Sequence, residues 1–220
     1  MDELGRLLTL MTGDEKHDAS ATSTLDVLWV LYDRILNVTP QTIDDPDRDR
    51  FLLSKGHGPM AYYAVLTAKG FLDESLLSSW ASFDSPLGFH PDHCRAPGVE
   101  ISSGSLGHGL PIAIGLALSL RARRSPARVV CLLGDAELDE GSNHEAIAAA
   151  GRFGLSNLAV TVIDNRSASL GWPQGIDARF ALEGWDTAVV DGRDHDDIEA
   201  AFRRTSDKPL AVVATVEPKW

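Results

Sequence analysis

The chain has 220 residues, 44 % of them hydrophobic, which is enough for one sizeable core and not clearly enough for two. Its 32 acidic residues outnumber 20 basic ones, and the net charge of −12 argues against binding to nucleic acid or to an anionic membrane surface. No apolar run approaches a membrane span, the N-terminus does not resemble a signal peptide, and two distant cysteines are typical of reduced thiols. We therefore expect a soluble, cytoplasmic protein with a single domain over residues 1–220.

The first half of the chain combines predicted helices with one short strand and a long loop. Apolar residues within Ser23–Leu36 recur on one helical stripe, and Arg50–Ser54 has the apolar run of a short buried strand. Further helices are predicted over residues 58–70 and 73–83. A loop rich in Pro, Gly and His follows over residues 84–109.

The second half alternates regularly between helix and strand. A long apolar helix over residues 110–124 is followed by predicted strands at 128–133, 158–164, 186–190 and 210–216, with helices at 142–154, 177–184 and 194–205 between them. Continuous apolar strands that alternate with helices are typical of a parallel sheet covered on both faces, so we predict a three-layer α/β fold. Ligands of such sheets bind beyond the carboxyl ends of the strands, here after Leu133 and Ile163.

Four carboxylates are crowded into the loop that follows the strand at 128–133: Asp135, Glu137, Asp139 and Glu140. Such a cluster repels itself unless a cation, a proton or a partner compensates it. Asn165 follows the next strand, thirty residues after Asp135, which is about one strand–helix–strand crossover. Adjacent parallel strands would bring both side chains to one edge, where their oxygens suit Mg²⁺ or Ca²⁺ with phosphate oxygens completing the shell. The spacing alone leaves open that both residues merely cap loops.

Five segments of the chain carry a combined signal. In chain order they are HDASATSTLDVL, DRDRFLLSKGHGPMAYYAVL, FHPDHCRAPGVEISSGSLGHGLPIAIGLAL, GDAELDEGSNHEA and VIDNRSASLG. In this order they resemble blocks of the transketolase family of thiamine diphosphate enzymes, and the last two resemble its metal and diphosphate signature. The resemblance runs from His17 to the end of the chain and implies the diphosphate-gripping (PP-type) domain of the thiamine diphosphate-binding fold.

The resemblance implies a site for thiamine diphosphate and a divalent metal ion. Asp135, Asn165 and the carbonyl of Ser167 would bind the ion, Mg²⁺ or Ca²⁺. The Ala136 amide and Asn165 would contact the diphosphate, and His57 would contact it from another loop. The charge of the ion would offset both the carboxylate and the diphosphate.

The resemblance also implies residues for the cofactor rings and the substrate. His17 and His90 would line the substrate channel, where imidazoles donate or accept hydrogen bonds near neutral pH. The stretch that meets the thiazolium and aminopyrimidine rings would be Gly104, Ser105 and Leu106. Without the family blocks, each histidine would be interpreted as a hydrogen-bonded loop residue.

Two glutamates match family residues that act across a subunit interface. Glu140 would pair with the partner's catalytic glutamate, because two neighbouring carboxyls cannot both ionise easily. Glu145 would belong to the same network, although both also suit the solvated first turns of a helix. Glu137 and Asp139 are expected to face solvent.

The resemblance covers only the front half of a full-length transketolase. The pyrimidine-binding domain and its catalytic glutamate are missing from this sequence, so we expect a partner chain that supplies them, in an α2β2 assembly. Ala136 replaces the usual glycine, and Asp18 and Ala19 stand where Pro and Gly are common. A downstream family histidine is also absent, which puts ordinary sugar-phosphate activity in question.

The leading hypothesis is a subunit that transfers a two-carbon ketol or acyl unit from a ketose, such as a sugar phosphate, or from a 2-oxo acid to an aldehyde-type acceptor. The cofactor would supply the electron sink, and the protein would position it. Two alternatives stay open. One is the E1 subunit of a 2-oxo acid decarboxylase or dehydrogenase, and the other is a degenerate, non-catalytic cofactor-holding subunit.

Overall fold

A computed structural model describes residues 2–12 and 18–218. The described residues form seven α-helices and five β-strands. The helices are α1 (Asp2–Leu10), α2 (Asp18–Val30), α3 (Pro59–Ala68), α4 (Gly109–Ala122), α5 (Gly141–Phe153), α6 (Ile176–Leu182) and α7 (His195–Phe202). The strands are β1 (Arg50–Leu53), β2 (Val129–Gly134), β3 (Leu158–Asp164), β4 (Asp186–Asp191) and β5 (Leu210–Thr215).

The strands form one parallel sheet in the order β1-β2-β3-β5-β4. β2 and β3 are neighbours, and Gly134 at the end of β2 pairs with Ile163, one residue before the end of β3. The loops that follow these two strands therefore leave the sheet side by side. The predicted three-layer α/β fold is confirmed.

Helices cover both faces of the sheet, which explains why the inner strands β2, β3 and β5 are apolar without alternation. Val130 and Leu132 of β2 pack into a core shared with α1, α2, α3 and α7. Cys131 and Leu133, which point the other way, pack into a second core with α4, α5 and α6. None of the described helices combines the length and the apolar character that a membrane crossing requires.

Two segments differ from the sequence-based expectation. The helix predicted over residues 73–83 is a short 3₁₀ turn at Glu74–Ser79, where the Ser78 and Ser79 hydroxyls donate to carbonyls three residues earlier. Serine hydroxyls that bond to the backbone in this way compete with helix formation. Helix α1 was not predicted, although Leu4 and Leu7 lie one turn apart and are both buried.

Helix boundaries also differ by a few residues. α2 begins at Asp18 rather than Ser23, and it continues as one π-helical turn over Leu31–Ile35, closed by a hydrogen bond from the Leu36 amide to the Leu31 carbonyl. α7 ends at Phe202, three residues before the predicted end. None of these differences moves the loops at the carboxyl edge of the sheet.

Candidate functional site

The carboxylate of Asp135 is the centre of the loop cluster at the carboxyl edge. Its side chain is 1 % exposed, and its backbone N–H donates to the Ile163 carbonyl (3.0 Å), which continues the pairing of β2 with β3. Ser167 donates to Asp135 with its backbone N–H (2.6 Å to Oδ2) and its hydroxyl (2.6 Å to Oδ1). The backbone N–H groups of Ala136 (2.8 Å) and Ala168 (3.1 Å) also donate to it. All donors that the described residues offer to this carboxylate are uncharged.

Asn165 completes the juxtaposition that the spacing predicted. It is 3 % exposed, and its Oδ1 atom accepts no hydrogen bond from any described residue. A buried amide oxygen without a donor is costly unless a ligand satisfies it. A cleft of about 270 Å³ opens at the same edge of the sheet, lined by Asp135, Asp164, Arg166, Ala168, Gly171, Trp172, Gly175 and Ile176.

This donor set suits a hard cation. No group of three His, Cys, Asp or Glu side chains that could hold a metal ion occurs within residues 2–12 and 18–218. A cation here would therefore depend on the Asp135 carboxylate, the Asn165 amide oxygen and backbone or ligand oxygens, which is the chemistry of Mg²⁺ and Ca²⁺ sites. It would compete with the donors of Ser167 for the same carboxylate lone pairs.

A second cluster brings the predicted histidines together. The rings of His57 and His90 are stacked, with centroids 5.8 Å apart, and His90 Nδ1 lies 2.5 Å from the Gly56 carbonyl, so this nitrogen is the donor. Gly104 has φ +116°, and a β-carbon there would lie 2.7 Å from the His90 ring. A β-carbon on Gly56 would lie 2.8 Å from Leu106. Glycine thus lets these loops approach each other closely.

Glu137 contradicts its expected exposure to solvent. Its side chain is 2 % exposed, in the 3₁₀ turn Ala136–Asp139 that follows β2. It accepts from the Ser54 hydroxyl and from the backbone N–H groups of Gly107 (3.0 Å) and Gly134 (3.4 Å). Burial raises the pKa of this carboxyl, and the three donors and the charge of Lys55 partly offset the shift. The expected exposure was wrong because the 3₁₀ turn directs the Glu137 side chain inward, toward Ser54 and the Gly107 loop before α4.

Asp139, Glu140 and Glu145 are less buried than Asp135 and Glu137. Asp139 accepts from Ser169 (backbone N–H 3.1 Å and hydroxyl 3.0 Å) and from the Leu170 amide, so it ties the loop after β3 rather than only meeting water. Glu140 is exposed at the start of α5, where a β-carbon on Gly107 would lie 2.7 Å from the Glu140 β-carbon. Glu145 is exposed further along the same helix.

The remaining predicted residues are placed as follows. Ala136 lies directly beside the Asp135 carboxylate, and Ser105 is exposed in the loop before α4. His17 lies outside the described residues. The structure brings Ala136 and Ser167 together at Asp135 and brings His57, Gly104 and His90 together in a second group, whereas Glu140 and Glu145 lie exposed on or beside α5.

Sequence reasoning missed two polar side chains at this edge. Ser54 is buried at the end of β1, where its hydroxyl accepts from the Gly109 amide (3.1 Å) as well as donating to Glu137. Lys55 is buried next to it, and its ammonium donates to the His57 carbonyl (3.0 Å). Both belong to the segment SKGHG, so the available signal was a polar pair directly after a strand end.

Comparison with known proteins agrees with this geometry. Residues 9–216 match the family described as transketolase, thiamine diphosphate binding domain. The chain belongs to the transketolase family. Among curated relatives, it is 62 % identical to the protein named ferredoxin fas2 of Rhodococcoides fascians, over 98 % of this chain and 71 % of that one.

Two further comparisons describe the extent of the match. The chain is 35 % identical to one subunit of the apulose-4-phosphate transketolase of Actinobacillus succinogenes, over 90 % of this chain and 75 % of that one. The solved transketolase of Campylobacter jejuni superposes with a TM-score of 0.81 at 25 % identity, over 98 % of this chain and 38 % of that one. This transketolase-family chain therefore spans little more than a third of a solved transketolase chain.

Proposed function

We propose that this chain is the diphosphate- and metal-holding subunit of a two-chain, thiamine diphosphate-dependent transferase. The enzyme would transfer a two-carbon ketol or acyl unit from a ketose, such as a sugar phosphate, or from a 2-oxo acid to an aldehyde-type acceptor. Family membership and the relative whose name describes one transketolase subunit support this proposal. We further propose a cytoplasmic location, because Cys94 and Cys131 are both free.

One observation supports the proposal above the others. The parallel strands β2 and β3 end side by side, and they bring a buried carboxylate, Asp135, and a buried acceptor without a donor among the described residues, Asn165 Oδ1, to the same edge. A cation bound by both oxygen acceptors would offset the cost of burying them at this edge.

The residues at this edge are proposed to act as the family resemblance implies. Asp135, Asn165 and Ser167 would hold Mg²⁺, or Ca²⁺ in its place. The Ala136 amide, which donates to Asp135 in this structure, would donate to a bound phosphate instead. His57 would contact the diphosphate from the loop after β1. When bound, thiamine diphosphate supplies the electron sink that lets a carbon–carbon bond break beside a carbonyl group.

The loops around His90 would form the substrate side. The Nδ1–H group of His90 donates a hydrogen bond to the Gly56 carbonyl, which fixes the orientation of the ring. The Nε2 atom would then accept a hydrogen bond from a substrate hydroxyl. Gly104, Ser105 and Leu106 would approach the cofactor rings, because Gly104 has no side chain to hold them away. His17 would join them from the segment before α2.

The partner would be a chain with a pyrimidine-binding domain, in an α2β2 assembly. This chain spans 38 % of a solved transketolase, and it matches most of a relative named as a separate subunit. Glu140 and Glu145 are exposed near the start of α5, as an interface role requires.

Affinity purification of the tagged chain from its native host tests the assembly. The expected result is co-purification of a chain whose sequence carries a pyrimidine-binding domain, and catalytic activity that depends on both chains. Recovery of a stable, catalytically active homodimer of this chain alone would contradict the proposal.

Assays of that complex separate the alternatives. Transfer of a two-carbon unit from a ketose without release of CO₂ supports the ketol transferase, whereas CO₂ release from a 2-oxo acid alone indicates a decarboxylase or an E1-type enzyme. Tight binding of thiamine diphosphate and Mg²⁺ in calorimetry without turnover of either donor class indicates a non-catalytic role.

The name of the relative from Rhodococcoides fascians suggests electron transfer, and the cysteines of this chain do not support it. A ferredoxin cluster is commonly held by four cysteine thiolates. This sequence has two, and the structure places Cys94 on the surface and Cys131 inside β2. An iron–sulfur cluster of that kind has no ligand set within these 220 residues.

A further inference from the structure

Glu137 lies where three loops of the site meet. Its Oε1 atom accepts from the Ser54 hydroxyl, after β1, and from the Gly107 amide, before α4. Its Oε2 atom accepts from the Gly134 amide at the end of β2. One buried carboxylate thus joins segments that are far apart in the sequence.

The contacts continue outward from these three segments. The Ser54 hydroxyl accepts from the Gly109 amide (3.1 Å), which fixes the start of α4 against the end of β1. The Ser142 hydroxyl donates to the Gly107 carbonyl (2.8 Å), and the side-chain Nδ2 of Asn143 donates to the backbone carbonyl of Glu137 (2.6 Å). The loop before α4 is therefore attached on both sides, to β1 and to α5.

A carboxylate is a costly way to fill this space. Removing a charged group from water carries a penalty that an apolar side chain of similar volume avoids. The hydrogen bonds from Ser54, Gly107 and Gly134 offset part of this cost. Here the three joined segments are those that present His57, Gly104 and Asp135, each a few residues along the chain from a donor to Glu137.

We propose that Glu137 is the positioning residue of the cofactor cradle, and that it holds the loops of His57, Gly104 and Asp135 at the spacing that the cofactor needs. This inference rests on the proposed function. Glu137 itself touches none of the reacting atoms in this role. It acts through the Ser54 hydroxyl and through the amides of Gly107 and Gly134.

Two substitutions and one control separate positioning from stability. Glu137→Gln keeps an oxygen that can accept from Ser54 and Gly107, but it turns an amide NH₂ toward the Gly134 N–H. Glu137→Leu keeps most of the volume and removes every acceptor. Asp49→Asn is the matched control, since Asp49 is a buried carboxylate that accepts from the amides of Asn37 and Arg128 at the opposite edge of the sheet.

Calorimetry with thiamine diphosphate and Mg²⁺, on the complex of the full chain with its partner, gives the first readout. Because mutation of the outer-shell partners of metal ligands costs roughly 10–100-fold in metal affinity, Glu137→Leu should raise Kd about 100-fold and Glu137→Gln about 10-fold. Asp49→Asn should lower the melting temperature and leave Kd unchanged. If Glu137→Leu does not fold, the test uses the ratio of Kd in Glu137→Gln to Kd in Asp49→Asn. A ratio of about 10 supports the positioning role, and a ratio of about 1 contradicts it.

Hydrogen exchange on the cofactor-free full chain gives the second readout. Glu137→Gln should speed exchange in the peptide around Gly107 and leave the peptides of β3 and β5 unchanged. Wild-type Kd in both Glu137 variants, or unchanged exchange around Gly107, would overturn the inference. Absence of cofactor binding by the wild-type complex would instead overturn the proposed function, and the exchange data would still report whether Glu137 ties the loops.

Discussion

The two edges of the sheet each contain a buried aspartate, and the surroundings of these aspartates differ. At the amino edge, Asp49 is 5 % exposed and accepts from the amides of Asn37 (2.9 Å) and Arg128 (2.7 Å). The Arg128 guanidinium lies 3.7 Å from the same carboxylate. At the carboxyl edge, Asp135 receives only uncharged donors from the described residues.

The difference indicates where the fold is complete without a ligand. Positive charge compensates Asp49 within the chain, so the amino edge needs nothing further. Asp135 accepts from the uncharged donors of Ala136, Ser167 and Ala168, and Asn165 Oδ1 at the same edge accepts no hydrogen bond from the described residues. We propose that a bound cation completes the carboxyl edge, so substitutions at the two edges should change different measured quantities.

Asp135→Ala should have the largest effect on cofactor binding. It removes the carboxylate of the proposed ion site, so we expect Kd for thiamine diphosphate with Mg²⁺ to rise at least about 100-fold, since even outer-shell changes reach that range. Turnover should fall in parallel. The measurement is calorimetry on the complex of the chain with its partner, at several Mg²⁺ concentrations. Unchanged affinity and turnover would remove the basis for the metal assignment.

Asn165→Ala should separate ligand binding from folding. Because Asn165 Oδ1 accepts no hydrogen bond from the described residues, its loss should change the free energy of unfolding of the cofactor-free chain by less than about 1 kcal/mol. The affinity for thiamine diphosphate with Mg²⁺ should still fall, by roughly 10-fold or more. Thermal melts with and without the cofactor measure both effects. A large loss of stability without the cofactor would mean that this side chain serves the fold.

The position of Asp135 and Asn165 at one edge of the sheet was predictable from the sequence. Asp135 and Asn165 were expected to lie together, because one crossover separates them and neighbouring parallel strands end at one edge. Their placement depends on local pattern and topology alone. The apolar runs of β2 and β3 were equally predictable, since both faces of the sheet are covered.

Glu137 was not predictable in the same way. In the sequence it is one of four acids in a short polar segment, and such a cluster at the start of a helix is usually solvated. Its burial depends on donors from Ser54 and Gly107, which lie 83 and 30 residues away. Long-range hydrogen bonds of this kind leave no periodic pattern in the sequence. The 3₁₀ turn at Glu74–Ser79 was missed for a local reason, the serine hydroxyls that bond to its backbone.

Gly104→Ala should disturb the substrate side and have a smaller effect on metal-dependent binding. With φ at +116° and the His90 ring 2.7 Å from the new β-carbon, alanine would be strained and would displace the ring. We expect a loss of kcat of about 10-fold, because misplacing a positioned group by a fraction of an ångström lowers the rate. Gly5→Ala in α1 is the control, since nothing lies within 4 Å of its β-carbon. Equal kcat in both variants would show that His90 has no part in turnover.

Asp49→Asn should have the smallest effect on function and a clear effect on stability. The substitution weakens the hydrogen bonds that residue 49 accepts from the backbone N–H groups of Asn37 and Arg128. It also removes the carboxylate that pairs with the Arg128 guanidinium. A buried hydrogen-bonding group that loses its partner costs about 1–3 kcal/mol, so the melting temperature of the cofactor-free chain should fall. The affinity for thiamine diphosphate with Mg²⁺, extrapolated to full folding, should stay that of the wild type. A rise in Kd comparable to that of Asn165→Ala would show that the amino edge is coupled to the site, and the distinction between the two edges would then fail.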